Sequence, residues 1–134
     1  MTKEYILDGS NVTSLDAFYD PISDTLIPGA IWGRNLDAFN DILRGSFGTP
    51  EAGFVLRWAN SEASRERLGY AETVKQLEKR LEQCHPTNRE HVRADLSRAK
   101  KGEGATVFDW LVEIIRVHDV GGEEAADRVH LVLD

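Results

Sequence analysis

Three short runs rich in branched and aromatic residues constrain this chain most: EYILDG (4–9), GFVLRW (53–58) and RVHLVLD (128–134). Each reads as a strand bounded by turn residues, the first closing on Asp8-Gly9. The stretches between them are long and carry helical periodicity. Strands connected in this way belong to a helix-covered, parallel sheet. The expectation is therefore an α/β domain with its last strand at the extreme C-terminus.

The helical stretches differ in character. Thr13 stands three residues before Asp16 as a weak capping box, and Leu15, Phe18, Tyr19 and Ile22 follow at helical spacing. Pro21 is expected to break or kink that helix, and Pro28-Gly29 marks a turn. The next helix is sharply delimited, with Asn35 as N-cap, Leu36 to about Arg44 as its body and Gly45 as C-cap. Leu36, Phe39, Ile42 and Leu43 share one side. Asp37, Asn40, Asp41 and Arg44 share the other, so one face suits a core and the other suits solvent or a partner. Residues 61–68 form a short polar helix ended by Gly69.

From Tyr70 the spacing of Val74, Leu77, Leu81 and Cys84 draws one narrow apolar stripe on a charged helix. Pro86 interrupts it. Thr87 and Glu90 then read as a capping box, and Val92, Leu96 and Ala99 form a second stripe before Gly102. Residues 70–103 are thus expected to form a helical hairpin inserted into a single domain spanning 1–134. A last helix, from Val107 to Val120, is apolar except for the strip Asp109, Glu113 and Arg116, which predicts burial.

Aspartate and glutamate number 23 against 16 lysines and arginines, a formal charge of −7. That balance disfavours free nucleic acid as a partner and favours a basic protein, although moderate acidity also serves solubility alone. Cys84 is the only cysteine, so no intrachain disulfide forms, in keeping with a reducing compartment. The opening residues do not read as a signal segment, and no apolar run reaches the roughly 20 residues of a membrane helix. A soluble, cytoplasmic protein is expected.

Chemistry-bearing patterns are sparse. His85, His91, His118 and His130 lack metal-site spacing to one another or to Cys84, and no glycine pattern matches a phosphate loop. No metal, cofactor or catalytic residue is expected. Asp37 and Asp41, one turn apart, admit two readings from the residues alone. They are a solvated face with ion pairs such as Asp41 to Arg44, or, if one were desolvated, a catalytic carboxylate pair.

The stretch IWGRNLDAFNDILRG (31–45) resembles the central motif of the barstar family. There an aromatic-glycine pair, here Trp32-Gly33, leads into Asn35-Leu36-Asp37-Ala38, with Asp41 one turn later and Gly45 at the end. FVLRW (54–58) is similar to the family's second strand, and the apolar helix and HLVLD (130–134) to its last helix and third strand. The resemblance covers 4–69 and 105–134. It implies a small three-stranded parallel sheet flanked by helices, with the hairpin added.

It also implies a function: inhibition of a small basic ribonuclease, or a related nuclease toxin, by plugging its active site with helix 35–44 and the preceding loop. By this resemblance Asp41 is the principal anchor, placed where a substrate phosphate would lie, and Asp37 is the second carboxylate. Asn35 and Gly33 shape the loop, Gly45 gives backbone access, and Glu113 supplies a peripheral acidic contact. Ile31 stands where the family often has tyrosine, Asn40 where it has a bulky tryptophan on the contacting face, and Arg34 at a commonly acidic position. With Trp32 and Arg44, these residues complete the expected partner surface, which differs from the family's usual one. Residues 31–45 carry two aspartates and two arginines, so the motif by itself is neutral. The alternative is a binding or assembly module that keeps the scaffold without inhibiting a nuclease.

Overall fold

In the computed structural model, which describes residues 3–50 and 52–134, the three apolar runs form β1 (Lys3–Asp8), β2 (Phe54–Ala59) and β3 (Val129–Leu133). All pair parallel in the order β1-β2-β3. Phe54 stands beside Lys3 on one side and Val129 on the other. Side chains alternate across the sheet. Leu7, Leu56, Trp58, Val129 and Leu131 therefore enter the core, while Ile6, Arg57 and His130 lie on the opposite, more open face.

Six α-helices complete the described residues: α1 (Leu15–Leu26), α2 (Leu36–Arg44), α3 (Ser61–Arg67), α4 (Tyr70–Gln83), α5 (Arg89–Lys100) and α6 (Val107–Val117). Aromatic rings join the elements that matter for α2. Phe18 of α1 meets Phe39 of α2 edge-on at 5.2 Å and lies 5.4 Å from Trp58 of β2, which in turn lies 5.0 Å from Phe108 of α6. Phe39, Ile42 and Leu43 are almost fully buried. Side chains of this size contribute about 1.5–3 kcal/mol each on burial, enough to hold a helix too short to persist alone.

Several local expectations are corrected. Ser14, not Thr13, caps α1, accepting the Ala17 N–H at 3.0 Å. Pro21 does not break the helix, which runs on to Leu26. Buried Phe18 and Tyr19 before the proline, with Ile22 and Leu26 after it, hold both halves against one core. The Thr87–Glu90 box does not form. Residues Pro86–Asn88 make a 3-10 turn, in which the His85 ring accepts the Thr87 N–H at 3.3 Å. The last helix ends at Val117 rather than Val120, with His118 as its C-cap. Its start is fixed by a reciprocal capping box between Thr106 and Asp109.

Helices α4 and α5 pair as a hairpin around their own small cluster of Leu77, Val92, Leu96 and Ala99, and Trp110 of α6 touches both this cluster and the main core. Two polar residues of α4 pin the hairpin down. Buried Glu72 accepts the Leu15 N–H at 2.7 Å, completing the N-terminus of α1, and Thr73 Oγ1 accepts the Val107 N–H of α6 at 2.9 Å. Such bonds satisfy orphan donors of helix first turns, and a carboxylate there also suits the helix dipole. Glu72→Ala should therefore lower stability by about 1–3 kcal/mol, measured by urea unfolding. An unchanged midpoint would show that the Leu15 N–H does not depend on this carboxylate.

Candidate functional site

Helix α2 forms where its sequence places it. Asn35 Oδ1 accepts the Ala38 N–H at 2.8 Å, and Gly45 closes the helix with φ +99°, a left-handed value that a side chain would strain. Asn35 Nδ2 also donates to the Gly33 carbonyl at 3.4 Å, so both ends of this amide serve the turn into the helix. Its apolar side is sunk into the core. Its polar side divides into residues that face solvent and residues that anchor the helix.

Asp37 is exposed in the first turn. Asp41, one turn on, is half exposed and accepts from Arg44 Nη1 at 3.2 Å through Oδ1. Arg44 is mainly committed elsewhere. Its Nε and Nη2 donate to the two oxygens of Glu124 at 2.8 and 3.0 Å, a fork that reaches from α2 to the segment after α6. This bond lowers the Glu124 carboxyl below its usual range and raises the Arg44 guanidinium.

Asn40 does not project toward a partner as expected. Its amide lies 2.6 Å from Nε2 of His118, whose side chain is completely buried and whose Nδ1–H donates to Asp127 at 2.7 Å. An amide can offer either its oxygen or its NH₂ to the ring. The apolar end of α6 leaves this histidine buried, and burial demands such partners. Glu124 Oε2 approaches the same ring at 3.9 Å. The ligand-type atoms of His118, Glu124 and Asp127 converge within 4.8 Å, but the ring is hydrogen-bonded at both nitrogens and Glu124 is held by Arg44. The arrangement is a link between α2 and the chain following α6.

The loop before α2 presents a mixed surface. Ile31 is 96% exposed. Trp32 is half-buried, its Nε1 donating to Ser23 Oγ at 3.2 Å and its ring meeting Tyr19 edge-on at 5.4 Å. Burial, reinforced by Asp16, pushes the Tyr19 hydroxyl up to about 12, so it stays protonated. Arg34 adopts φ +49° and pairs with Asp20 of α1. Glu113 is exposed on α6, which packs against α2.

Spatial neighbours change the charge of this surface. The motif stretch alone is neutral, yet folding sets Asp20 beside Arg34 and Glu124 beside Arg44. With Asp37 and Asp41, four carboxylates then face two guanidinium groups on α2 and its paired neighbours, an acidic balance bordered on the Asp37 side by Lys79 and Arg80 of α4. A cleft beside α2 reaches Asp37 and leaves Asp41 outside, so the two aspartates do not share a concave catalytic pocket. The links of Asn40 to His118 and of Arg44 to Glu124 escape sequence reasoning because the partners are 78 and 80 residues apart along the chain. A lone histidine closing an apolar helix was the one local hint.

The family model described as Barstar (barnase inhibitor) matches residues 2–97. The match runs from β1 into α5 and thus includes much of the hairpin, while α6 and β3 lie beyond it. Among curated proteins, none matches the chain. No helix among the described residues is long and apolar enough to cross a membrane.

The anchoring of α2 generates a direct expectation. His118→Leu keeps the volume but strips Asn40 and Asp127 of their shared partner. It should lower stability by about 2–4 kcal/mol and speed amide exchange in α2 more than in the sheet. Equal acceleration throughout the chain would contradict a link specific to α2.

Proposed function

This chain belongs to the barstar family, whose members are non-catalytic inhibitors, and from that premise we propose that it is an immunity protein against a small basic ribonuclease or related nuclease toxin. It acts in the cytoplasm of the producing cell, by laying α2 and the loop before it across the enzyme's active site. The observation that carries the reading is the outward placement of Asp37 and Asp41 on a helix fixed from behind. Phe39, Ile42 and Leu43 hold its back, and the Asn40–His118 and Arg44–Glu124 bonds hold its flank.

A ribonuclease binds phosphate with cationic groups in a cleft. A convex helix bearing carboxylates can engage those groups with charge-assisted hydrogen bonds, which are about twice as strong as neutral ones. Rigidity matters because a preorganised surface loses little entropy on docking. Asp41 has one oxygen engaged by Arg44, which leaves the other for a partner's arginine or histidine. The acidic field around α2 steers a basic enzyme toward it, so association slows as salt rises. In this reading Ile31, fully exposed, makes an apolar contact where the family often uses tyrosine.

RNA cleavage by each of a set of small basic ribonucleases, barnase included, measured with increasing amounts of the purified chain, tests this. Stoichiometric loss of cleavage by at least one of them is expected. Asp41→Ala should weaken that inhibition by about 2–5 kcal/mol while leaving the unfolding midpoint in place, since its bond to Arg44 is exposed. Undiminished inhibition by Asp41→Ala would contradict the mode. Absence of inhibition across the set would leave a non-inhibitory binding module as the better account.

A further inference from the structure

The nine residues of α2 span about 13–14 Å, and a strip of that length and roughly helical width is far short of the approximately 800 Å² that each partner contributes to a standard interface. A complex centred on α2 must therefore extend over its neighbours. On its N-terminal side lies a cleft of about 590 Å³ between α2 and the hairpin helix α4. It shares Asn35, Leu36 and Asp37 with the docking helix, so the two surfaces are continuous.

Resting on the functional reading above, we propose that this cleft is the second half of the docking surface. It receives a protruding loop of the same nuclease, one that carries an acidic side chain beside an apolar one. Leu36, Tyr19 and Trp110 offer apolar and aromatic surface for the latter. Lys79 and Arg80 stand on the α4 side, opposite Asp37, and with Arg34 they outnumber the cleft's two carboxylates, Asp16 and Asp37. A cationic rim of the enzyme would be repelled by Lys79 and Arg80, whereas an acidic loop next to a cationic active site meets complementary charge on both α4 and α2.

The cleft is built before any partner arrives. Glu72 ties α4 to the start of α1, Thr73 ties it to the start of α6, and the Arg80 guanidinium stacks over Trp110 at 5.0 Å. This assigns the hairpin a role in target choice: α2 supplies the carboxylates that any phosphate-binding site would accept, and α4 selects among nucleases by the loop beside that site.

Cys84, partly buried at the edge of the cleft, is the only thiol in the chain and so reports on its occupancy. The probe is an inactive variant of the ribonuclease neutralised in the cleavage assay, bound to the full chain. Lys79→Glu should weaken binding tenfold or more and Lys79→Met by less, both with unchanged unfolding midpoints. Alkylation of Cys84 by iodoacetamide should slow at least fivefold in the complex. If Asp41→Ala disrupts the complex but Lys79→Glu binds normally and Cys84 reacts as in the free chain, the cleft is outside the interface while the functional reading stands. If Asp41→Ala has no effect, that reading fails and this inference falls with it.

Discussion

The position of helix α2 rests on a completely buried histidine. His118 sits where α6 ends, with Asp127 on one ring nitrogen and Asn40 of α2 on the other. An unpartnered imidazole in that place would be costly, so the pairings must form together if the apolar end of α6 is to be buried at all. Since Asn40 belongs to α2 and Asp127 to the turn before β3, one side chain fixes the helix relative to the sheet's last strand. The bidentate bond from Arg44 to Glu124 repeats the connection at the surface. The aromatic contacts of Phe39 secure depth, and these polar bonds secure rotation. What remains outward on the helix is a pair of aspartates.

That division of labour separates two kinds of polar residue that look alike on a helical wheel. Asn40 and Arg44 are spent on holding the helix, whereas Asp37 and Asp41 stay accessible. The acidity of the surface is likewise a product of folding. Arg34 and Arg44 would neutralise the motif, but Asp20 and Glu124 come from other elements to pair with them. The overall excess of acidic residues and the local field around α2 thus share a sign, as the proposed association with a basic enzyme requires.

Much of the fold was legible because its signals are local. The cap at Asn35, the stop at Gly45 and the 3.6-residue pattern between them needed no tertiary information, and the three strands followed from composition and turns. Boundaries failed where packing overruled local chemistry. Pro21 was absorbed into α1 by a continuous buried face, and the last helix stopped short so that His118 could turn to its partners. The site was legible only in its exposed half. Asp37 and Asp41 stood out through their spacing and the motif around them. Asn40 was misplaced, and nothing local set Glu72 apart from the other charges of α4. Their partners, His118 and the Leu15 N–H, lie on distant segments that only the folded chain brings near.

The account turns on whether Asp41 meets a phosphate-binding group of the enzyme. A double-mutant cycle pairs Asp41→Ala in this chain with alanine at an arginine or histidine in the active site of the inhibited ribonuclease. The account predicts a coupling energy of about 1.5 kcal/mol or more with at least one such residue, in the range of close charge pairs across an interface. Additive losses with every active-site cation would contradict it, placing α2 elsewhere than across the catalytic cleft.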